Sequence, residues 1–312
     1  MIIVDPSYQI QDELDQASLV VRLEACGRIC YKSEEKISES SALPFVKKIA
    51  EHGHNSVMEM AVVTLRLHCS SQQITDLLGC QPKFLFIDQV ENGLLVTGSI
   101  RAFRELYGSF PEIALVQAMV DFLGASHPYL LEGVWKPVAR QGASSGSSIS
   151  VEKVPLEQVE QLALNLLLRH RFLSVKFIVN RAITHEIVRH RPCSFLQESQ
   201  RYCRYSQDKF GNQVTFIRPL FFVPGSAEYK LWQQAMEVTE ALYLQLLETS
   251  TPQAARTVLP NSCKTEIIVY CNLAEWKHIF RLRTSPAAEP SMREVMIPLE
   301  KEIQKRYPQL FV

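Results

Sequence analysis

Glycine is scarce in this chain, and no glycine-rich nucleotide motif is present. Twelve glycines are spread over 312 residues, without the G-x-G-x-x-G pattern of a Rossmann site or a P-loop ending in lysine. The polar stretch at 141–148 carries two of these glycines among serines and is interpreted as a flexible loop. Any bound dinucleotide must therefore be held by other groups, such as arginines, side-chain amides or a helix N-terminus.

The chain also lacks net charge, long apolar runs and closely paired cysteines. The 33 basic residues balance 33 acidic ones, which argues against a general nucleic-acid or membrane-surface binder. No apolar run approaches the roughly 18 residues that a membrane span needs, and the first residues show no signal peptide. Eight cysteines lie singly, without a C-x-x-C pair, which favours buried thiols over a disulfide framework. These absences predict a cytoplasmic protein.

The apolar content of 46% is sufficient for a sizeable core, in one large domain or two. Apolar residues at three- and four-residue intervals predict helices at 11–31, 40–52, 101–107, 111–123, 155–171, 226–250, 273–282 and 292–306. Runs rich in β-branched residues predict strands at 61–67, 172–179, 214–217 and 266–270, and a hairpin at 83–100 about Asn92-Gly93. Because helices and strands interleave without a regular alternation, we expect an α+β fold with an antiparallel or mixed sheet flanked by helices.

Charge is concentrated in one segment, residues 181–206. Between Arg169 and Tyr205 there are eight Lys or Arg against two acids. Such a cluster is stable only if an anion binds in it or water surrounds it. The Arg189-His190-Arg191 triplet is followed by Pro192, which predicts a helix end at the triplet. Two arginines that leave a helix end in different directions can hold two separate anions.

Two catalytic interpretations of this segment are disfavoured by spacing. His185 and His190 are five residues apart, whereas zinc-binding histidines on a helix lie four apart on one face, so no metal site is predicted. Ser199 has no G-x-S-x-G elbow around it. A hydrogen bond from Ser199 to a bound anion is therefore a better interpretation than a nucleophile.

The same segment resembles a known signature. Arg189-His190-Arg191, followed after seven residues by Ser199, is similar to the RHR-x7-S motif of the flavin-dependent thymidylate synthase (ThyX) family. The S-x-R-Y continuation through Arg201 and the His54-Asn-Ser56-Val-Met-Glu59 segment also resemble that family.

Elements downstream follow in the family's order. Ala255-Arg256-Thr-Val-Leu-Pro260 resembles A-R-x-V-L-P, and Asn272, Trp276, His278 and Leu282-Arg283 match later motif positions. The resemblance covers 51–67 and 172–283. It implies a single catalytic domain over 1–312, in which 70–171 is an insertion or an elaborated arm.

The resemblance implies reductive methylation of dUMP to dTMP. Methylenetetrahydrofolate supplies the carbon, NADPH the hydride through bound FAD, and no enzyme nucleophile attacks the pyrimidine. It also implies a homotetramer with active sites at subunit interfaces. By position, the cofactor-binding residues are Ser56, Glu59, Arg189, His190, Arg191, Asn272 and His278. The dUMP-binding residues are Glu186, Arg189, Gln197, Ser199, Arg201, Arg256 and Arg283, of which Ser199 and Arg283 are also substrate-activating candidates.

The chain departs from the family pattern at several positions. Glu186 stands where many members have Gln, Ala274 where they have Arg, and Met60 where His is common. The usual tail motif is also hard to find after Arg283. An alternative hypothesis is therefore a divergent, weakly active or inactive member that acts as a nucleotide- or nucleic-acid-binding protein, with nucleic acid disfavoured by the neutral net charge.

Overall fold

The computed structural model describes residues 1–51, 55–136 and 149–311. The strands in chain order are β1 (Ile2–Val4), β2 (Ser7–Ile10), β3 (Val62–His68), β4 (Leu85–Val90), β5 (Gly93–Ser99), β6 (Ser150–Lys153), β7 (Phe172–Asn180), β8 (Ser194–Gln197), β9 (Thr215–Ile217) and β10 (Lys264–Asn272). They form two four-stranded antiparallel sheets and one parallel pair, β1 with β9. Helices cover these sheets, so the predicted α+β class is confirmed.

The described α-helices, in chain order, are α1 (Asp12–Gln16), α2 (Leu19–Ile29), α3 (Ala42–Glu51), α4 (Ser71–Gly79), α5 (Ile100–Ser109), α6 (Ala114–Ser126), α7 (Leu156–Val159), α8 (Leu164–His170), α9 (Arg181–Ile187), α10 (Ala227–Thr249), α11 (Pro252–Ala255), α12 (Leu273–Arg283) and α13 (Pro290–Arg306). Within the described ranges, no helix is long and apolar enough to cross a membrane. All eight cysteines are free thiols, and four of the eight predicted buried thiols are buried, namely Cys26, Cys203, Cys263 and Cys271.

The central sheet has the strand order β2-β7-β10-β8. Its two long strands, β7 and β10, pair antiparallel over their full nine residues and are rich in Val and Ile, which suit a buried pleated surface. Each strand leads directly into a helix, α9 or α12, and the asparagine at each junction caps the helix. Because the strands are antiparallel, the two helices start at opposite ends of the sheet. They run towards each other over one face, which brings their C-terminal ends together.

The second sheet has the order β4-β5-β3-β6 and packs with α2, α3, α5 and α6 around the largest hydrophobic core. The predicted hairpin is confirmed as β4 and β5. Asn92 adopts φ 62°, a left-handed conformation that Asn tolerates. A Cβ on Gly93 would lie 1.8 Å from the carbonyl oxygen of Leu67 on β3, so only glycine fits there.

Two predicted helices are wrong in extent, because each is two helices in the structure. The helix predicted at 11–31 is interrupted where Ala17 and Ser18 are extended, between α1 and α2. The interruption lets the buried Asp15 carboxylate accept hydrogen bonds from Arg171 and Ser174. The helix predicted at 155–171 is interrupted before α8, and the sequence patterns did not predict β1, β2, β6, β8 or α4.

Candidate functional site

The predicted helix end at the triplet is confirmed. Helix α9 begins at Arg181, and the side chain of Asn180 caps it by accepting the backbone N–H of Ile183. The helix ends at Val188, so the triplet follows it directly. His190 is 6% exposed whereas Arg189 and Arg191 are exposed. The two arginines therefore leave the helix end separately from the buried histidine, as two anion-binding positions require.

Arg283 meets the triplet from the end of α12. Its Nε donates to Nε2 of His190 at 2.9 Å. One terminal nitrogen donates to the Glu186 carboxylate at 2.6 Å, and the other donates to the Glu186 backbone carbonyl at 3.1 Å. This junction joins three of the predicted site residues from two helices. Each of the three guanidinium nitrogens thus donates one hydrogen bond to Glu186 or His190.

His190, Glu275 and His278 form a half-buried group beside this junction. The His190 and His278 ring centroids are 6.1 Å apart, and His190 Nδ1 lies 3.9 Å from a Glu275 carboxylate oxygen. Burial, the Arg283 guanidinium and His278 lower the pKa of His190 to about 4, and burial raises the pKa of Glu275 to about 7. Near neutral pH, His190 is therefore uncharged, while the Glu275 carboxyl group titrates.

These three side chains also have the donor types of a metal site, with ligand atoms within 4.8 Å of one another. However, Arg283 already donates to Nε2 of His190, and Arg281 donates to Nδ1 of His278 at 3.0 Å. Two guanidinium groups thus place positive charge beside the cluster, which disfavours a metal cation there. One buried oxygen of Glu275 has no hydrogen-bond donor among the described residues.

The Asn272 amide is fully engaged by the protein itself. Its Oδ1 accepts the backbone N–H of Glu275, and its Nδ2 donates to the carbonyl of Arg169. In this structure its function is to cap α12 and to orient Glu275. Sequence reasoning missed Glu275, although an acid three residues after a capping asparagine is a recognisable helix-start signal.

A second group of predicted residues lies at the end of β8, at Gln197, and in the loop after it, which carries Ser199 and Arg201. The Gln197 amide donates to the hydroxyls of Thr184 and Thr265, each at 3.1 Å. Ser199 Oγ accepts the backbone N–H of Arg201. Within the described residues, no hydrogen bond joins this hydroxyl to a histidine or carboxylate, so Ser199 lacks the base that a nucleophilic serine needs.

An ionic network lies under this loop, and sequence reasoning missed it. Glu266 on β10 is 6% exposed and accepts from Lys264 at 2.7 Å and from Lys32 at 2.9 Å. Lys264 also reaches Glu198, whose carboxylate accepts from the Tyr205 hydroxyl. Burial alone would raise the pKa of Glu266, but these ammonium groups lower it to about 2. The network ties the Glu198 end of the loop to the sheet.

A cavity of about 590 Å³ opens beside the triplet. Arg191 lines it on one side, and Glu59, which accepts from Arg101 at 2.6 Å, lines it on another. Ser56 is exposed at the start of the short 3₁₀ turn that carries Glu59. His54, from the same motif, and the 141–148 loop lie outside the described residues.

Ion pairs with other elements change the predicted local excess of positive charge, and Arg256 lies apart from the other predicted site residues. The local excess of six positive charges is partly neutralised by acids from elsewhere, because Arg169 binds Asp88 and Arg171 binds Asp15. Arg256 packs near α10 and α11, and no hydrogen bond or ion pair joins its side chain to other predicted site residues among the described ones. The tertiary structure therefore leaves Arg189, Arg191 and Arg201 as the exposed cations of the segment.

A family model described as Thymidylate synthase complementing protein (Thy1) matches residues 16–78 and 149–309, more than half of the chain. The chain belongs to this family. The predicted resemblance to the flavin-dependent thymidylate synthases is thereby confirmed.

The relatives of this Thy1-family chain are named flavin-dependent thymidylate synthases. A flavin-dependent thymidylate synthase of Pyrococcus furiosus is 37% identical over 128 residues, which are 41% of this chain and 52% of that protein. One from Corynebacterium aurimucosum is 26% identical over 62% of this chain and 78% of that protein. The match thus spans about half the length of the Pyrococcus relative. Among solved structures, the UMP/dUMP methylase PolB from Streptomyces cacaoi bound with 5-Br dUMP is similar over 44% of this chain and 68% of its own, with 22% identity and a TM-score of 0.37.

The Thy1 match is interrupted over residues 79–148. The interruption lies inside the predicted insertion of 70–171 and is shorter than it. In the structure it contains β4, β5, α5 and α6. These elements complete the second sheet around β3, which belongs to the matched part of the chain.

Proposed function

We propose that this protein catalyses the reductive methylation of dUMP to dTMP, with methylenetetrahydrofolate as carbon donor and NADPH as reductant through bound FAD. Membership of the Thy1 family supports the proposal. The observation that carries it is the junction of Arg283 with Glu186 and His190, since it joins motif residues that are far apart in sequence. The carboxylate of Glu186 takes the place at Arg283 that an anionic substrate group would take.

On the substrate side, the proposed dUMP ligands are Glu186, Arg189, Gln197, Ser199, Arg201, Arg256 and Arg283. Glu186 is proposed to act as a hydrogen-bond acceptor, a role that a glutamine amide can also fill. A phosphate monoester suits guanidinium groups, which bind it through two parallel N–H donors. Arg256 lies apart from the junction in one chain. A homotetramer with interface sites, as proposed here, would allow a second copy to supply it.

The residues proposed to hold FAD are Ser56, Glu59, Arg189, His190, Arg191, Asn272 and His278. Three observations fit such a group: exposed arginines for a diphosphate, a mainly apolar cavity beside Arg191, and a buried Glu275 oxygen without a donor. When bound, FAD would supply the redox chemistry that carries hydride from NADPH to the one-carbon unit transferred to dUMP, which reduces that unit to a methyl group. Asn272 also caps α12, so its proposed contribution to the FAD site includes holding the helix start that carries Glu275.

The chain's own residues are proposed to bind the reactants and to orient them. With a pKa of about 4, His190 is neutral at physiological pH, and its Nε2 accepts from Arg283, which keeps the guanidinium in place. Ser199 is proposed to hydrogen-bond the substrate, and no enzyme nucleophile is required. The ionic network of Glu198, Glu266 and Lys264 keeps the Ser199 loop on the sheet.

The proposal is tested with the purified full chain. FAD is added, unbound flavin is removed, and the visible spectrum is recorded. Conversion of dUMP is then measured with NADPH and methylenetetrahydrofolate, with omission of each reactant as a control. We expect a flavin spectrum and dTMP formation that needs all reactants. Absence of FAD binding, or of dTMP formation by flavin-loaded protein, contradicts the proposal.

A second candidate function is nucleotide binding with little or no turnover. The observation that favours it is the Glu186 carboxylate, which occupies Arg283 where many members have glutamine. Under this hypothesis, dUMP binds but dTMP does not form. The salt dependence of binding distinguishes a nucleic-acid ligand from a mononucleotide. The affinity for a nucleic acid falls steeply as the salt concentration rises, whereas the affinity for a mononucleotide falls much less.

A further inference from the structure

The segment that interrupts the Thy1 match forms one wall of the cavity beside the triplet. From this segment come residues of the hairpin and of the start of α5: Phe84, Leu85, Phe86, Ser99, Arg101 and Ala102. The opposite wall is the chain from Arg191 to Phe195, which follows α9. The inserted elements therefore line the same cavity as Arg191 and Glu59, two of the predicted cofactor-binding residues.

The cavity has the size and lining of a small-molecule site. Its volume of about 590 Å³ lies within the range of roughly 300–1,000 Å³ that ligand pockets occupy. Its rings are Phe84, Phe86, Phe172, Phe195 and Tyr270. Phe86 and Phe172 are in edge contact at 5.6 Å, and Phe172 and Tyr270 at 5.5 Å, so these three rings form a fixed aromatic wall.

Phe84 differs from the other rings of the cavity. Its side chain is 67% exposed, although it is large and apolar. Its backbone has φ 61°, a left-handed conformation that is uncommon for a bulky residue and costs energy. An exposed ring held in such a conformation at the cavity edge is available to cover a ligand that enters.

The charged groups of the cavity are unevenly paired. Arg101 bridges Glu59 at 2.6 Å and Glu105 at 2.7 Å, so that the inserted helix α5 holds a residue of the family motif. Arg191 has no acidic partner among the described residues. One side of the cavity thus offers an unneutralised guanidinium beside aromatic walls.

We propose that this cavity binds a planar heteroaromatic ring that carries an anionic group, with Phe84 of the inserted hairpin as a covering residue and Arg191 facing the anion. The inference rests on the proposed function, which requires two reactants of this chemistry, a flavin and a folate. It adds that the inserted segment supplies part of the binding site and gives Phe84 a role that the family motifs do not contain.

The test compares Phe84→Ala with Phe221→Ala, since Phe221 is also exposed, at 63%, and does not line the cavity. Dissociation constants of FAD and of folinic acid are measured separately by titration calorimetry on the full chain. We expect Phe84→Ala to weaken at least one of the two ligands by about fivefold or more, with Phe221→Ala within twofold of the wild type. The ligand whose binding weakens, FAD or folinic acid, carries the ring that Phe84 covers. Phe84→Trp, which keeps a large ring, should retain binding.

The inference is overturned if neither compound binds the wild type, or if Phe84→Ala and Phe221→Ala bind both compounds alike. Formation of dTMP is measured for the wild type, Phe84→Ala and Phe221→Ala. Normal dTMP formation with no effect of Phe84→Ala on binding rejects the cavity and leaves the proposed function standing. Binding that depends on Phe84 without any dTMP formation rejects the proposed function and leaves the cavity standing.

Discussion

Arg283 and His190 share a hydrogen bond of 2.9 Å in which Nε of the arginine donates to Nε2 of the histidine. An imidazole nitrogen that accepts carries no proton, so neutral His190 has its proton on Nδ1, which faces Glu275. One contact therefore sets the histidine tautomer and holds the guanidinium beside Glu186.

Replacement of Arg283 by alanine should affect substrate and histidine together. We expect KM for dUMP to rise at least about tenfold, because a charge-assisted hydrogen bond contributes roughly 1.5–3 kcal/mol. The pKa of His190 should rise from about 4, since the second cause of its depression is removed while burial remains. Steady-state kinetics and NMR titration of His190 measure the two effects. Arg283→Lys keeps the charge without the fork, so it should retain more of the pKa depression than of the affinity; an unchanged KM in Arg283→Ala rejects the substrate role.

Replacement of Glu186 by glutamine should tighten dUMP binding. The carboxylate occupies Arg283 at 2.6 Å and repels an incoming phosphate, whereas a neutral amide does neither as strongly. A gain of about 1 kcal/mol, or roughly fivefold in affinity, is expected for one charge interaction near the surface. Titration calorimetry with dUMP measures it, and Glu237→Gln on the exposed side of α10 is the matched control. Weaker binding by Glu186→Gln would show that the carboxylate itself holds the nucleotide.

Replacement of Glu266 by glutamine should destabilise the fold. It leaves the ammonium groups of Lys32 and Lys264 without their shared buried counter-ion, a change that costs about 3 kcal/mol. Urea unfolding measures the free energy of unfolding at neutral pH. Glu152→Gln breaks an exposed pair with Arg66 and should cost less than about 1 kcal/mol. Equal losses in the two variants would mean that the network contributes little.

The Glu266 contribution should also depend on pH in a definite direction. Because the folded-state pKa of about 2 lies below the ordinary value of about 4.3, the stabilisation is present above that ordinary value and is lost as pH falls through about 2. The difference in unfolding free energy between wild type and Glu266→Gln should therefore shrink in acid. A difference that stays constant from pH 7 to pH 3 contradicts the assigned pKa shift.

Glu275 should show the opposite pH dependence. Burial raises its pKa to about 7, so the folded chain holds a proton that the unfolded chain releases above about pH 4.3. Relative to Glu275→Gln, the wild type should lose about 1–2 kcal/mol of stability as pH rises from 5 to 8, a figure reduced for partial solvent screening. Urea unfolding of both proteins at the two pH values measures the change. A difference independent of pH shows that Glu275 is ionised throughout.

Much of the site could be predicted from local sequence. Pro192 marks the end of α9, which places the triplet at a helix end, and Asn92-Gly93 specifies the hairpin turn. These signals depend on backbone preferences of a few neighbouring residues. Most of the family motifs can also be recognised locally, because they are short runs of neighbouring residues.

The interruptions of the predicted helices could not be found in this way. The helix ends after Gln16 because Asp15 binds Arg171 and Ser174, which are more than 150 residues away along the chain. The periodic apolar pattern continues across the break and gives no sign of it. A distant charge pair outweighs a local preference that is worth only a few tenths of a kcal/mol per residue.

The sequence by itself determined the family, the class of fold and the concentration of arginine around the triplet. Only the tertiary structure decided which of those arginines lack an acidic partner among the described residues, since Asp88 and Asp15 pair with Arg169 and Arg171 from other elements. It also decided that Arg283 binds Glu186, 97 residues earlier, and that the inserted hairpin faces Arg191 across a cavity. The physical reason is that backbone preferences act between neighbours, whereas charge pairing and cavity shape depend on which elements the packed core brings together.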